Sequence, residues 1–329
     1  MGMKHKQILG TALNASVLCL GTSEFGASVS ESESYKLMDI FSENGGNFLD
    51  TARVYSDWIA GEKGRSERII GDYLSSRKNR DNWLIGTKGA HPLVETMEIP
   101  RLGRKELVND IDDSLKALRT DYIDIFYLHR DNEAIDVEEI IEWMNEFVAR
   151  GKIRYFGCSN WKTERMRKAL TYANINGLMS FSVNQPSWNA GCYSLNTSLN
   201  PTMTIMNKEM IQFHIETKLT VVPYASQANG FFSKLDSNDN SVRESALKNI
   251  YATPTNLQLH KVLKELAQKY AVPVSHVVIA YLLSQRISVI PVFRSSSVEQ
   301  LKDTISAAQI QLLAKELKLL DSVNGFGRI

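Results

Sequence analysis

The stretch Gly45-Gly46-Asn47-Phe48-Leu49-Asp50-Thr51-Ala52-Arg53-Val54-Tyr55 sets a carboxylate and a phenol just beyond a short apolar run. An acid and a phenol at the carboxyl end of a buried strand suit proton transfer, because that edge of a parallel α/β protein is where ligands collect. Two later apolar runs also end in chemistry-bearing groups: Trp83-Leu84-Ile85-Gly86-Thr87-Lys88 in an amine, and Ile123-Asp124-Ile125-Phe126-Tyr127-Leu128-His129 in an imidazole. Singly, each has an ordinary explanation. Aspartates after strands act as turn or capping residues, tyrosines pack, lysines are solvated, and a strand-end histidine can be satisfied in the core. Four such groups on three successive strands are harder to explain that way.

The elements that must position them alternate along the chain. Apolar strand-like runs at 17–21, 48–50, 83–88, 123–129, 153–160, 181–185, 220–224 and 288–291 are separated by helical patterns. Those helices are expected at 30–44, 65–77, 105–118, 137–150, 163–176, 207–217, 256–270, 274–284, 298–307 and 311–323. Leu107, Ile111, Leu115 and Leu118 show the spacing of three or four that puts apolar groups on one helix face. Asn44-Gly45-Gly46 reads as a helix stop, since glycine takes the left-handed conformation there without steric cost. Eight strand-helix alternations predict an all-parallel sheet buried on both faces, and closure into a barrel removes its edges. The expected fold is a single (β/α)8 TIM barrel over residues 1–329 with extra C-terminal helices. A doubly wound open sheet is the competitor. Its first turn would read Gly21-Thr22-Ser23-Glu24-Phe25-Gly26, which lacks the Gly-x-Gly-x-x-Gly phosphate signature. Residues 225–256 form a polar stretch too long for an ordinary connection, either a loop covering substrate or a partly mobile segment. In a barrel the ends of the second, third and fourth strands adjoin, so Asp50, Tyr55, Lys88 and His129 are expected to converge at one mouth.

Composition narrows the function classes. With 329 residues, 43% apolar, 23% charged and a net charge of +1, the chain carries no global field for nucleic acid or acidic membranes. Three widely spaced cysteines, Cys19, Cys158 and Cys192, and six scattered histidines suggest neither a disulfide framework nor a metal site. A metal-dependent barrel hydrolase would lack its ligands. No apolar run reaches the roughly 20 residues of a membrane span or suggests a signal peptide, so the expected compartment is the cytoplasm.

The order of these groups resembles the aldo-keto reductase superfamily: Asp, Tyr five residues on, Lys after Thr at the next strand, then His within Leu-His. The likeness extends through Gly46-Asn47-Phe48-Leu49-Asp50-Thr51-Ala52, Gly151-Lys152-Ile153-Arg154, Gly157-Cys158-Ser159-Asn160 and Asn184-Gln185. It implies the (β/α)8 barrel and NADPH-dependent reduction of an aldehyde or ketone, reversible to alcohol oxidation. Hydride arriving at a carbonyl carbon leaves charge on oxygen, so a proton donor must already stand there. A phenol with an ordinary pKa near 10 is a weak acid at neutral pH. An ammonium about 4 Å away contributes roughly 4 kcal/mol at an effective dielectric of 20, about three pKa units before desolvation and opposing charge are subtracted. Tyr55 is thus expected as general acid, Lys88 as its electrostatic partner, Asp50 as the group orienting Lys88, and His129 as a donor to the substrate oxygen.

The resemblance also implies cofactor contacts. Ser159, Asn160 and Gln185 would meet the nicotinamide carboxamide and Tyr224 would stack on its ring. Ser226 and Gly230 would approach the pyrophosphate, and Arg294 and Gln300 would meet the adenosine phosphate region. Arg294 and the hydroxyls of Ser295-Ser296-Ser297 before a helix suit an anion and favour NADP over NAD, although Val292 stands where the family usually has glycine and Thr304 where asparagine is common. Phe25, Trp58, Trp161 and Trp188 are the expected pocket walls. The Asn160-Trp161 and Trp188-Asn189 phrases suggest a sugar-like or aromatic aldehyde as the small-molecule partner. A nucleotide-sensing barrel with little turnover is the alternative from another class.

Overall fold

The computed structural model describes residues 2–193 and 202–326. Ten strands and twelve helices follow in order: β1 His5–Gln7, β2 Asn14–Ser16, β3 Cys19–Gly21, α1 Glu31–Glu43, β4 Phe48–Asp50, α2 Arg65–Arg77, β5 Leu84–Gly89, α3 Arg104–Ala117, β6 Ile123–Leu128, α4 Val137–Ala149 and β7 Ile153–Ser159. Then come α5 Thr163–Asn176, β8 Val183–Gln185, α6 Lys208–Thr217, β9 Thr220–Val221, α7 Phe231–Leu235, α8 Asn240–Ala246, α9 Pro254–Tyr270, α10 Val274–Leu283, β10 Val292–Phe293, α11 Val298–Ser306 and α12 Ala314–Asn324.

Eight strands, in the order β10-β3-β4-β5-β6-β7-β8-β9, form one parallel sheet. Its edges meet: Val221 N–H donates to Ser288 O at 2.8 Å and Ile290 N–H to Val221 O at 2.8 Å, so the sheet is a closed (β/α)8 barrel. Proline decides where the last ladder runs. Pro291 has no N–H to give, so Ser288 O and Ile290 N–H bond to Val221 of β9, Pro291 only accepts from the Cys19 N–H, and the positions paired with β3 are Val292 and Phe293, beyond the expected 288–291.

Two apolar layers hold the barrel. The outer one joins helices to strands, and α4 shows how: Val137, Ile140, Ile141, Met144 and Phe147 are buried along one face. The stop after α1 has the expected form, with Gly45 at φ +86°. Gly46 has a different reason to be glycine, because a Cβ there would lie 2.5 Å from the Phe41 ring. The inner layer gathers Cys19, Phe48, Ile125, Tyr127, Val183 and Ile290 with Ile8, Leu13 and Ala15. The last three come from the β1–β2 hairpin, which plugs the amino-terminal end of the barrel. Lys6 Nζ donates to Val289 O at 2.9 Å, and the Ala12 N–H to Tyr155 Oη at 3.0 Å, fastening it there.

Residues 225–256, expected as loop, contain a 3-10 turn at 228–230 and the helices α7 and α8. At five and seven residues these are too short to display a helical repeat in sequence. Phe231, Phe232 and Tyr251 nevertheless tie the segment to the core. Among the described residues no single helix is long and apolar enough to cross a membrane, and no group of three or more His, Cys, Asp or Glu side chains could hold a metal.

Candidate active site

Asp50 ends β4, and parallel pairing sets it beside Gly21 and Gly86, so its carboxylate belongs to the carboxyl rim. Lys88 lies on β5, two residues beyond Gly86, and its side chain is fully buried while that of Asp50 is 3% exposed. Burying an ammonium is tolerable only if each N–H finds an acceptor. Here all three do: Lys88 Nζ donates to Asp50 Oδ2 at 2.8 Å, to Thr51 O at 2.7 Å and to Tyr55 Oη at 2.9 Å. The other Asp50 oxygen accepts from Gln185 Nε2 at 2.7 Å, across the barrel.

Tyr55 is held by the loop after β4. Its N–H donates to Ala52 O at 3.0 Å, and the next residue, Ser56, takes φ +70° and donates its Oγ to Phe25 O at 2.8 Å. Tyr55 Oη accepts from Lys88 and donates its own proton in a long 3.4 Å hydrogen bond to Asp50 Oδ2. His129 follows β6, its N–H donating to Gly89 O at 2.9 Å. Its ring is 6.1 Å from that of Tyr55 and 4.5 Å from that of His91, and its Nδ1 is buried without a hydrogen-bond partner among the described residues.

Burial dominates the electrostatics here. It pushes the Tyr55 phenol above its ordinary value despite the nearby Lys88 ammonium, so the expected net lowering by Lys88 does not occur; desolvation outweighs the ion. The phenol is therefore fully protonated at neutral pH. Burial alone would lower Lys88, but Asp50 and Tyr55 together hold it above the usual lysine range. Burial, helped by His91, Arg130 and Lys88, drives His129 well below the normal imidazole value, leaving it neutral with one N–H to donate.

A cavity of about 1150 Å³ opens from these groups. Asp50, Tyr55 and His129 line it, while Lys88 lies beneath the wall. All eight residues expected to touch a cofactor line it too: Ser159, Asn160, Gln185, Tyr224, Ser226, Gly230, Arg294 and Gln300. Several already have protein partners. Asn160, at φ +63°, donates from Nδ2 to Ser159 Oγ at 3.0 Å and accepts at Oδ1 from Tyr224 Oη at 2.8 Å. Ser226 Oγ donates to Val292 O at 2.5 Å, Gln300 Oε1 accepts from Ser296 Oγ at 2.9 Å, and Arg294 pairs with Glu24 at 3.0 Å.

The aromatic wall is different from the one expected. Phe25, Trp161 and Trp188 are core residues and Trp58 is 48% exposed; none of the four lines the cavity. Trp161 packs edge-on to Phe181 at 5.0 Å with Arg165 over its face, and Trp188 packs against Tyr281 at 6.3 Å. Large apolar area draws these rings inward. Tyr193, Met203, Ile250 and Arg130 form the wall in their place. Sequence reasoning also missed Glu24, Gln227 and Lys234. Glu24 had a signal, its place in the first strand-helix turn; Lys234, on the short helix α7, had none.

The closed barrel thus holds at its carboxyl rim a buried aspartate-lysine pair against a phenol. Residues 17–325 match the profile of the Aldo/keto reductase family, and the chain belongs to it. Similar curated proteins include an aryl-alcohol dehydrogenase of Pestalotiopsis microspora, 28% identical over 97% of this chain and 81% of the relative. An aryl-alcohol dehydrogenase [NADP(+)] of Phanerodontia chrysosporium is 28% identical over 99% and 87%. Norsolorinic acid reductase B of Dothistroma septosporum is 27% identical over 98% and 82%. A solved structure of a thermostable aldo-keto reductase with the inhibitor epalrestat has the same fold, with a TM-score of 0.73 over 98% of this chain and 100% of that one, at 24% identity.

Proposed function

We propose that this protein reduces an aldehyde or ketone to an alcohol with NADPH, reversibly, with Tyr55 as the general acid. The observation that carries the reading is the 2.9 Å hydrogen bond from Lys88 Nζ, beneath the cavity wall, to the Tyr55 Oη that lines it. When bound, the dihydronicotinamide supplies hydride to the carbonyl carbon. Tyr55 donates its proton to the carbonyl oxygen as charge develops there, and Lys88, fixed by Asp50, stabilises the phenolate left behind. The neutral His129 donates an N–H to the same oxygen and fixes the substrate's orientation.

The cavity fits a dinucleotide by the chemistry of its wall. Tyr224 offers a ring, Ser159, Asn160 and Gln185 offer amide and hydroxyl groups near Asp50, and Ser226 and Gly230 follow. Lys234, Arg294 and the start of α11, capped by Ser297, suit phosphate groups at the outer end. Two cations there favour NADPH over NADH, and the bracketed NADP(+) in one relative's name agrees. The names of the two aryl-alcohol dehydrogenases also favour an aromatic carbonyl substrate. Three free thiols, two of them buried, are compatible with work in the cytoplasm.

A fluorescence titration with NADPH and NADH, followed by turnover of an aromatic aldehyde by the wild type and Tyr55→Phe, tests this. NADPH is expected to bind more tightly, and the variant to bind it normally while losing roughly 10² to 10⁴ in kcat. Full turnover by Tyr55→Phe would remove the assignment. Tight NADPH binding with no carbonyl consumed would favour the nucleotide-sensing barrel.

A further inference from the structure

Arg130 directly follows His129 and lines the cavity, yet its guanidinium has no carboxylate partner among the described residues. It donates from Nη1 to His129 O at 2.8 Å and from Nε to Thr202 Oγ1 at 3.1 Å. Four other buried or half-buried cations are paired: Lys88 with Asp50 at 2.8 Å, Arg80 with Asp124 at 2.7 Å, Arg101 with Asp110 at 3.0 Å and Arg165 with Asp131 at 2.8 Å, whereas Lys6 and Arg65, neither of which lines the cavity, donate to backbone carbonyls. Asp131, the acid nearest in sequence to Arg130, is committed to Arg165 through both oxygens. Residues 194–201 read SLNTSLNP and contain no acid.

A partly buried cation in the wall of a polar cavity is costly without a counter-charge. Arg130 also couples electrostatically to Tyr224 and Tyr55, which puts it at the reactive end of the cavity. A guanidinium there presents a flat fork of donors matched to a planar oxyanion.

We propose that Arg130 receives a carboxylate carried by the substrate, so that the preferred substrates are carboxylated aldehydes or ketones whose carbonyl reaches Tyr55 while the carboxylate supplies the missing counter-charge. This rests on the reductase reading and narrows its substrate class. It is tested by comparing kcat/KM for 2-, 3- and 4-carboxybenzaldehyde with the corresponding methyl esters, in wild type, Arg130→Gln and Arg130→Lys.

At least one acid is expected to exceed its ester about tenfold or more in the wild type. Arg130→Gln should collapse that ratio toward unity through a raised KM for the acid, and Arg130→Lys should retain part of it. Three outcomes would overturn the assignment: no acid preferred over its ester, a ratio unchanged in Arg130→Gln, or a raised KM for NADPH with no change in the acid-to-ester ratio. If neither acids nor esters are consumed, the reductase reading falls as well; if the esters turn over without acid preference, only the role of Arg130 falls.

Discussion

The two ends of the barrel follow opposite rules. At the amino-terminal end Ile8 and Leu13 of the β1–β2 hairpin close the bore with hydrocarbon, and hydrogen bonds to Val289 O and Tyr155 Oη only fasten the plug. At the carboxyl end an aspartate, a lysine and a phenol are buried together with an imidazole, and the desolvation cost of the first three is met by specific partners. The apolar end can lose a methyl group and still be the same surface. The polar end cannot lose one group without stranding another, which is why its chemistry and its stability are coupled.

The substitution that presses hardest on this contrast is Lys88→Met. It should abolish measurable turnover and also destabilise by about 3 to 5 kcal/mol, because Asp50 is left buried without its ammonium. Adding Asp50→Asn should recover much of the thermal midpoint and none of the activity; recovery of both would mean that Lys88 acts only structurally. At the other end, Leu13→Ala should cost about 3 kcal/mol in denaturant unfolding with kcat unchanged, and a large kcat effect would show that the plug communicates with the rim.

The smallest effect concerns Glu67, which lies on α2 behind the rim and accepts from Thr87 Oγ1 at 2.5 Å. Burial raises its carboxyl to about 7 from the usual 4.5. The folded state therefore keeps a proton that the unfolded state releases, and the stability from this group, fully present below about pH 4.5, is lost as pH rises through about 7. Glu67→Gln should match the wild type near pH 4.5 and exceed it at pH 8, by at most about 3 kcal/mol. A wild type whose stability is flat across that range would show the carboxyl ionising freely.

Much of this was legible in the chain. Strand and helix alternation, the four groups of the rim and the polar wall of the cavity follow from local runs such as Thr87-Lys88 and Leu128-His129, because parallel strands put successive strand ends side by side. The short pieces were not legible. Strands of three residues in β1 and β2 have no period to detect, and α7 and α8 are shorter than two or three turns.

The sequence by itself determined which residue types stand at the ends of the strands, and with that the barrel and the cluster of polar groups at its carboxyl rim, because period and spacing are local properties. Only the tertiary structure decided which rings face the cavity and what each charge meets. Trp161 and Trp188 turned inward, Tyr193 and Met203 took the wall, burial overrode Lys88 in setting the Tyr55 phenol, and Arg130 has no acid partner among the described residues. Burial and pairing depend on neighbours distant along the chain, and no local pattern encodes them.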